Sequence, residues 1–140
     1  MKTDITIPVS LNPKPSDKEI SVAYLFSQHY RSAVEFLEPH KGYKQKTPDF
    51  KSGGIVWEIK SPVGVSLNSI EKHIIKALKQ SPNIIIDSRE SKLSDYRIAQ
   101  ELYRLAKQRR KIHKLLLLNK HNKIQEIYIK GKGLTKPTRV

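Results

Sequence analysis

The stretch Thr47-Pro48-Asp49-Phe50-Lys51-Ser52-Gly53-Gly54-Ile55-Val56-Trp57-Glu58-Ile59-Lys60 decides how this chain is read. Two short runs flank a Gly-Gly pair, and glycine tolerates the positive φ angles that a tight hairpin demands. Along the second run side chains alternate, so Ile55, Trp57 and Ile59 share one face while Val56, Glu58 and Lys60 share the other. With Gly53-Gly54 as a two-residue loop, Ser52 pairs with Ile55 and Asp49 falls opposite Glu58, about 5 Å away at Cβ. A three-residue loop would move Asp49 opposite Trp57, onto the other face. The two-residue turn is the expectation. It gathers two acids and a lysine on one face of a half-buried sheet, where apolar side chains would ordinarily lie.

Outward from this hairpin, Ser16 and Glu19 have the spacing of a capping box, and a helix with Ile20, Ala23, Tyr24 and Ser27 on its buried face is expected to end near Tyr30. Residues 33–37 read as a strand, followed by a basic loop from Lys41 to Lys46. Ser66 caps a helix over 67–79 whose Leu67, Ile70, Ile74, Ala77 and Leu78 form an apolar stripe. Asn83 to Asp87 is a β-branched run suited to a strand covered on both faces. Ser94 caps a second long helix over 95–112, with Ile98, Leu102 and Leu105 inward. Leu115–Leu118 and Ile124–Ile129 make a closing hairpin through His121-Asn122, with Ile127 and Ile129 facing inward together.

The order α-β-β-β-α-β-α-β-β describes an α+β (α/β-like) domain, a central mixed sheet flanked by helices. Residues 1–16, with Pro8, Pro13 and Pro15, are expected as an extended arm; 17–130 as a single domain; 131–140 as a flexible basic tail.

Composition narrows the function. A chain of 140 residues with 37% hydrophobic content supports one core. No apolar run approaches the roughly 18 residues of a membrane span, and no signal peptide is visible, so a soluble domain without a membrane partner is expected. With no cysteine, disulfides and thiolate metal sites are excluded. The net charge of +14 must repel itself or meet a polyanion, and nucleic acid is the commonest such partner.

Burying a carboxylate or an ammonium without a partner costs several kcal/mol, so charges gathered on a sheet face must pair or work. Asp49 and Glu58 can offer hard oxygen ligands to a divalent cation such as Mg²⁺, with Lys60 orienting water or neutralising a phosphate. A metal-free route leaves Glu58 or Asp49 as base, Lys60 as electrostatic partner, and His73 or His113 as acid, although spacing selects neither histidine. Read without chemistry, the same acids form a salt-bridged exposed hairpin, Trp57 is core, and the basic run at 107–111 is a solvated helix face. Gln80-Ser81 could cap the first long helix or reach the acidic site.

An Asp followed by Glu-x-Lys on the next strand resembles the signature of PD-(D/E)XK nucleases, and the helix–three-strands–helix–strand order of residues 17–87 fits their core. A broader set of residues carries a second resemblance: Lys46 to Phe50, Trp57 to Pro62 with Gly64, Ser69-Ile70, Ala77 to Ser81 with Asn83 to Asp87, and the closing hairpin. Over about residues 18–130 these resemble the C-terminal tRNase domains of contact-dependent growth inhibition toxins and related phage and mobile-element domains. That resemblance implies a toxin-like nuclease acting in the cytoplasm on tRNA, with a cognate immunity protein, on a fold often grouped with barnase/EndoU/colicin/RelE ribonucleases. It carries over Asp49, Glu58 and Lys60 as catalytic candidates and Trp57, Gln80 and Ser81 as further site candidates. Lys44, Lys46, Ser61, Arg104 and Arg109 complete the expected nucleic-acid contacts. A cofactor is required only on the metal-dependent reading. The rival expectations are a Mg²⁺-dependent DNA endonuclease and a non-catalytic nucleic-acid-binding accessory protein.

Overall fold

The structure is a computed structural model that describes residues 4–39, 47–134 and 137. Lys44 and Lys46, with the rest of the expected basic loop, lie outside the described residues. Three helices and eight strands follow one another: β1 (Ile5–Thr6), α1 (Asp17–Tyr30), β2 (Val34–Phe36), β3 (Phe50–Ser52), β4 (Ile55–Lys60), α2 (Leu67–Leu78), β5 (Asn83–Asp87), α3 (Asp95–Gln108), β6 (Lys114–Leu118), β7 (Ile124–Ile129) and β8 (Gly133–Leu134). The strands form one mixed sheet in chain order, with β4, β5 and β6 parallel at its centre and antiparallel hairpins on either side. The expected α+β order is present, with a short strand added at each end.

The sheet separates two apolar layers. On one face Val22, Ala23 and Phe26 of α1 meet Phe50, Trp57, Ile59, Ile85 and Leu116. On the other, α2 and α3 bring Ile70, Ile74, Ile98, Leu102 and Leu105 onto Ile84, Ile86, Leu115 and Leu117. Strand alternation explains this: consecutive residues of β5 and β6 serve opposite layers, so an unbroken apolar run is what a doubly covered strand requires.

The helix starts follow their caps. Ser16 Oγ accepts from Glu19 N–H at 3.1 Å while Glu19 returns a carboxylate to Ser16 N–H at 2.8 Å. Ser66 and Ser94 cap α2 and α3 in the same sense, each accepting from a first-turn amide.

Five expectations need correction. The buried stripe of α1 is Val22, Ala23, Phe26 and Ser27, and Tyr24 is exposed. The extended arm contributes β1, which pairs parallel to β2 with α1 as the crossover, and Gly133–Leu134 of the expected tail pairs with β7. Helix α3 stops at Gln108, because Arg109 takes an extended conformation that lets Ile112 turn back into the core. A register shift between Leu115 and Leu116 places an extra residue in β7. Ile127 therefore joins the α2–α3 layer while Ile124 and Ile129 lie against the α1 layer, so Ile127 and Ile129 do not face inward together.

The end of β5 is locked to α1 by a buried ion pair. Asp87, 2% exposed, accepts from Arg89 Nε at 2.9 Å and from the second guanidinium prong at 3.0 Å, and Arg89 also reaches Ser21 Oγ on α1 at 2.9 Å. Removing one partner from such a pair leaves an uncompensated charge in the interior. Arg89→Ala is expected to lower unfolding free energy by about 3–5 kcal/mol in urea titration. The double variant Asp87→Asn/Arg89→Ala should recover a substantial part of that loss.

Candidate functional site: two buried carboxylates and a lysine

Hairpin β3–β4 turns through Gly53 and Gly54, both at positive φ (58° and 78°). Its register is Ser52 opposite Ile55, Lys51 opposite Val56 and Phe50 opposite Trp57, as the two-residue turn requires. Asp49 is thereby level with Glu58. The regular ladder ends at Phe50, and the Asp49 side chain takes over: its Oδ2 accepts from Ile59 N–H at 2.7 Å. Its main chain is held on both sides, donating to Trp57 O at 2.9 Å and accepting from Leu37 N–H at 3.1 Å.

Glu58 is 3% exposed on the face covered by α2. Its Oε2 lies 3.3 Å from Lys60 Nζ, and its Oε1 is buried with no hydrogen-bond partner while both acids are ionised; a proton on Asp49 gives the two carboxyls a side-chain hydrogen bond. Lys60 Nζ also donates to Gln80 Oε1 at 3.4 Å, a long bond, while Gln80 Nε2 donates to Thr47 O at 3.3 Å. Gln80, just past α2, thus bridges the ammonium to the segment that carries Asp49.

One ammonium cannot neutralise two desolvated carboxylates. Burial, reinforced by the nearby Glu58 charge, pushes the Asp49 carboxyl up to about 8. Burial also raises Glu58, against the opposing pull of Asp49 and Lys60. Near neutral pH the pair therefore holds a proton or needs a second cation.

His73 is the further candidate that spacing did not select over His113. It lies seven residues before Gln80 on the same helical face, half-buried, and its Nδ1 is buried without a partner. Burial first, then the charges of Lys60 and Lys76, hold its pKa below the usual imidazole value, so it is neutral at pH 7. The i, i+7 relation with Gln80 was the available signal. His113 instead donates its backbone N–H to Pro82 O, at the opposite end of β5 from Asp87.

Asp49, Glu58, Lys60 and Gln80 thus come together, and half-buried Ser61 follows directly on β4. Other expected contacts have different employment. Trp57, 4% exposed, packs edge-on against Phe26 with centroids 5.2 Å apart, so it is a core anchor and offers no exposed stacking face. Ser81, 2% exposed, donates to Val56 O at 2.8 Å and accepts from Asn83 N–H at 3.0 Å, stitching β4 to β5 with no hydroxyl left for phosphate. Arg109 pairs with Glu71 at 2.8 Å and Arg104 with Glu101 at 2.6 Å, so both guanidiniums are already committed to carboxylates.

The donor set fits a hard divalent cation: two carboxylates side by side, one with an unpartnered oxygen, can hold Mg²⁺ when water and a phosphate complete the shell. No cluster of three or more His, Asp and Glu suited to a metal occurs among the described residues. No helix among them is long and apolar enough to cross a membrane.

Fold and site together define a small three-layer domain built around a charged hairpin. The chain belongs to the contact-dependent growth inhibition CdiA C-terminal domain family, whose model matches residues 46–124, more than half of the sequence. It is a toxin domain of that system. The fold is also that of a chain in the CdiA-CT/CdiI toxin and immunity complex from Burkholderia pseudomallei, with a TM-score of 0.63 at 17% identity, over 89% of this chain and 98% of that one. A search of curated protein sequences returns no match.

The raised Asp49 pKa has a definite sign. Between the ordinary carboxylate pKa near 4 and about 8 the folded state binds more protons than the unfolded chain, so its stability falls as pH rises through that window. Asp49→Asn, which can still accept from Ile59 N–H, removes the penalty. In chelator, the variant is expected to melt several degrees above the parent at pH 8.5, with the gap closing towards pH 5. Equal gaps at both pH values would show that Asp49 is not held protonated.

Proposed function

We propose that this toxin domain is a nuclease that breaks phosphodiester bonds, with tRNA the favoured substrate. The observation that carries the reading is the Glu58 carboxylate, buried beside Asp49 with one oxygen unpartnered and a lysine on the other. A structural ion pair has no use for the second acid. A site that takes up a divalent cation or a shared proton ahead of an anionic substrate needs both, because that positive charge completes the balance.

The residues divide the work by position. Lys60, held between Glu58 and Gln80, presents an ammonium that can meet the negative charge developing on the phosphorus oxygens. His73, neutral at pH 7 and half-buried with its Nδ1 on the inner side, can accept or return a proton through its other ring nitrogen. Asp49 and Glu58 orient water, or accept its proton, from the floor of the site. A divalent cation bound by these two carboxylates would supply Lewis-acid polarisation of the phosphate. The carboxylate pair and the α1-β2-β3-β4-α2-β5 order favour that metal-dependent reading, on which duplex DNA is the rival substrate.

The neighbouring Burkholderia pseudomallei structure is a toxin with its immunity protein. We extend the same pairing to this chain, with an immunity partner that blocks the cationic rim and a substrate met in the cytoplasm of a target cell.

The test is cleavage of purified tRNA and of duplex DNA, each with Mg²⁺ and with EDTA. Glu58→Gln and Lys60→Ala should each lower the cleavage rate at least ~100-fold, the scale of losing one electrostatic group aimed at a transition state. His73→Ala should lower it and flatten the pH–rate profile on the limb below neutrality. Undiminished cleavage in the Glu58 and Lys60 variants would refute the site, and no cleavage of either polymer by the parent would refute the nuclease reading.

A further inference from the structure

Helix α2 carries the charge pattern of a docking track. At about 100° per residue, Lys72, Lys76 and Lys79 fall within a narrow stripe, all three exposed. His73 and Gln80 form the adjoining stripe, the one turned to Lys60. Beyond it lies the buried stripe of Ile70, Ile74 and Ala77, and Glu71 falls on the far side. The lysine stripe therefore borders the site directly.

The two sides of α2 differ in their counter-charges. Glu71 is the helix's one acid, and it is taken by Arg109 at 2.8 Å and approached by Arg104 at 3.9 Å. Among the described residues, Lys72, Lys76 and Lys79 have no carboxylate partner. The basic run of α3, which by composition is the more conspicuous, is further tied up by Glu101 on Arg104 and by the Tyr103 ring under Lys107 at 5.3 Å. Exposed Arg97, Arg110 and Lys111, in and just after α3, also have no carboxylate partner among the described residues, so what sets the α2 lysines apart is that they stand beside the site.

Resting on the nuclease reading, we infer that the nucleic-acid backbone lies along the exposed lysine stripe of α2, Lys72, Lys76 and Lys79, and not across α3. From Lys72 to Lys79 the helix rises about 10 Å, which spans about three phosphates of one duplex strand. A backbone laid there leads from the stripe past His73 and Gln80 to Lys60. The proximity of Lys76 to His73, registered in the lowered imidazole pKa, places the stripe within charge range of the site.

The experiment uses the full chain in a Glu58→Gln background, so that binding is read without cleavage. Affinity for bulk tRNA and for a duplex DNA oligonucleotide is measured from about 50 to 200 mM salt by fluorescence anisotropy. Replacing Lys72, Lys76 and Lys79 with Gln should weaken binding at least 10-fold at the lower salt. It should also reduce the slope of log K against log salt by about 2–3, since each lost phosphate contact removes about 0.7–0.9. Arg104→Gln/Arg109→Gln should leave the slope unchanged. An unchanged slope in the lysine variant, or a loss confined to the arginine variant, overturns the proposal, as does a parent that binds neither polymer. Thermal melts exclude misfolding, and the single exchange Lys76→Glu gives a second reading if the triple variant melts early. Cleavage by the parent with an unchanged slope in the lysine variant would refute the track alone and leave the nuclease reading standing.

Discussion

Two carboxylates taken out of water beside a single ammonium are the constraint around which this molecule is arranged. Desolvating an ion costs several kcal/mol even after relaxation, and a lone lysine can offset one such charge but not two. The fold supplies the balance by immobilising everything around the pair. Trp57 and Ile59 anchor β4 into the α1 layer. Asp49 is fixed by its main chain on both sides and by its carboxylate on Ile59 N–H. Ser81 and Asn83 both bond to Val56 O, tying the start of β4 to β5. The acids cannot swing out to solvent, and so they stay under electrostatic tension.

That arrangement explains why the hairpin could be read from the chain. Gly53-Gly54 sets a loop length, loop length sets register, and register alone determines which face Asp49 meets. The doubly covered strands β5 and β6 were equally legible, since Ile84-Ile85-Ile86 and Leu115 to Leu118 leave no face for water. The parts that were not legible depend on partners distant in sequence. Two-residue strands such as β1 and β8 carry almost no periodicity, and exist only because an edge of the sheet is available to them. The shift beside Leu115 is invisible in Ile124–Ile129, whose alternation reads as regular until a neighbour imposes an extra residue. The end of α3 was overrun because Ile112 continues the helical spacing of Leu105, although it reaches the core by leaving the helix.

Site residues divide along the same line. Asp49, Glu58 and Lys60 were visible because their types violate the local pattern. Gln80 was visible as a polar residue at a helix end. His73 was visible only as one of two histidines that could serve as acid, because a histidine on a basic helix resembles any solvated residue until Lys60 and Lys76 are known to press on it. Ser81 and Trp57 mark the reverse error: their chemistry suits a nucleic-acid contact, but neighbouring strands had prior need of a hydroxyl and an indole. Arg104 and Arg109 show that counting cations overstates an interface unless the acids beside them are counted too.

The two faces of the sheet consequently serve different ends. Beneath α1, aromatic contacts among Phe26, Phe36, Phe50 and Trp57 bury large area with fixed geometry, which stabilises the β3–β4 hairpin without help from its charges. That surplus is what permits the opposite face to stay charged and incompletely satisfied. Replacing Glu58 by an apolar residue of similar volume would relieve the tension, and buried ion pairs are often no more stable than such replacements. With Lys60 on β4 and Gln80 just past α2 closing on the same spot, the costly pair is thus carried by packing on the other face of the sheet and not by its own contribution to folding.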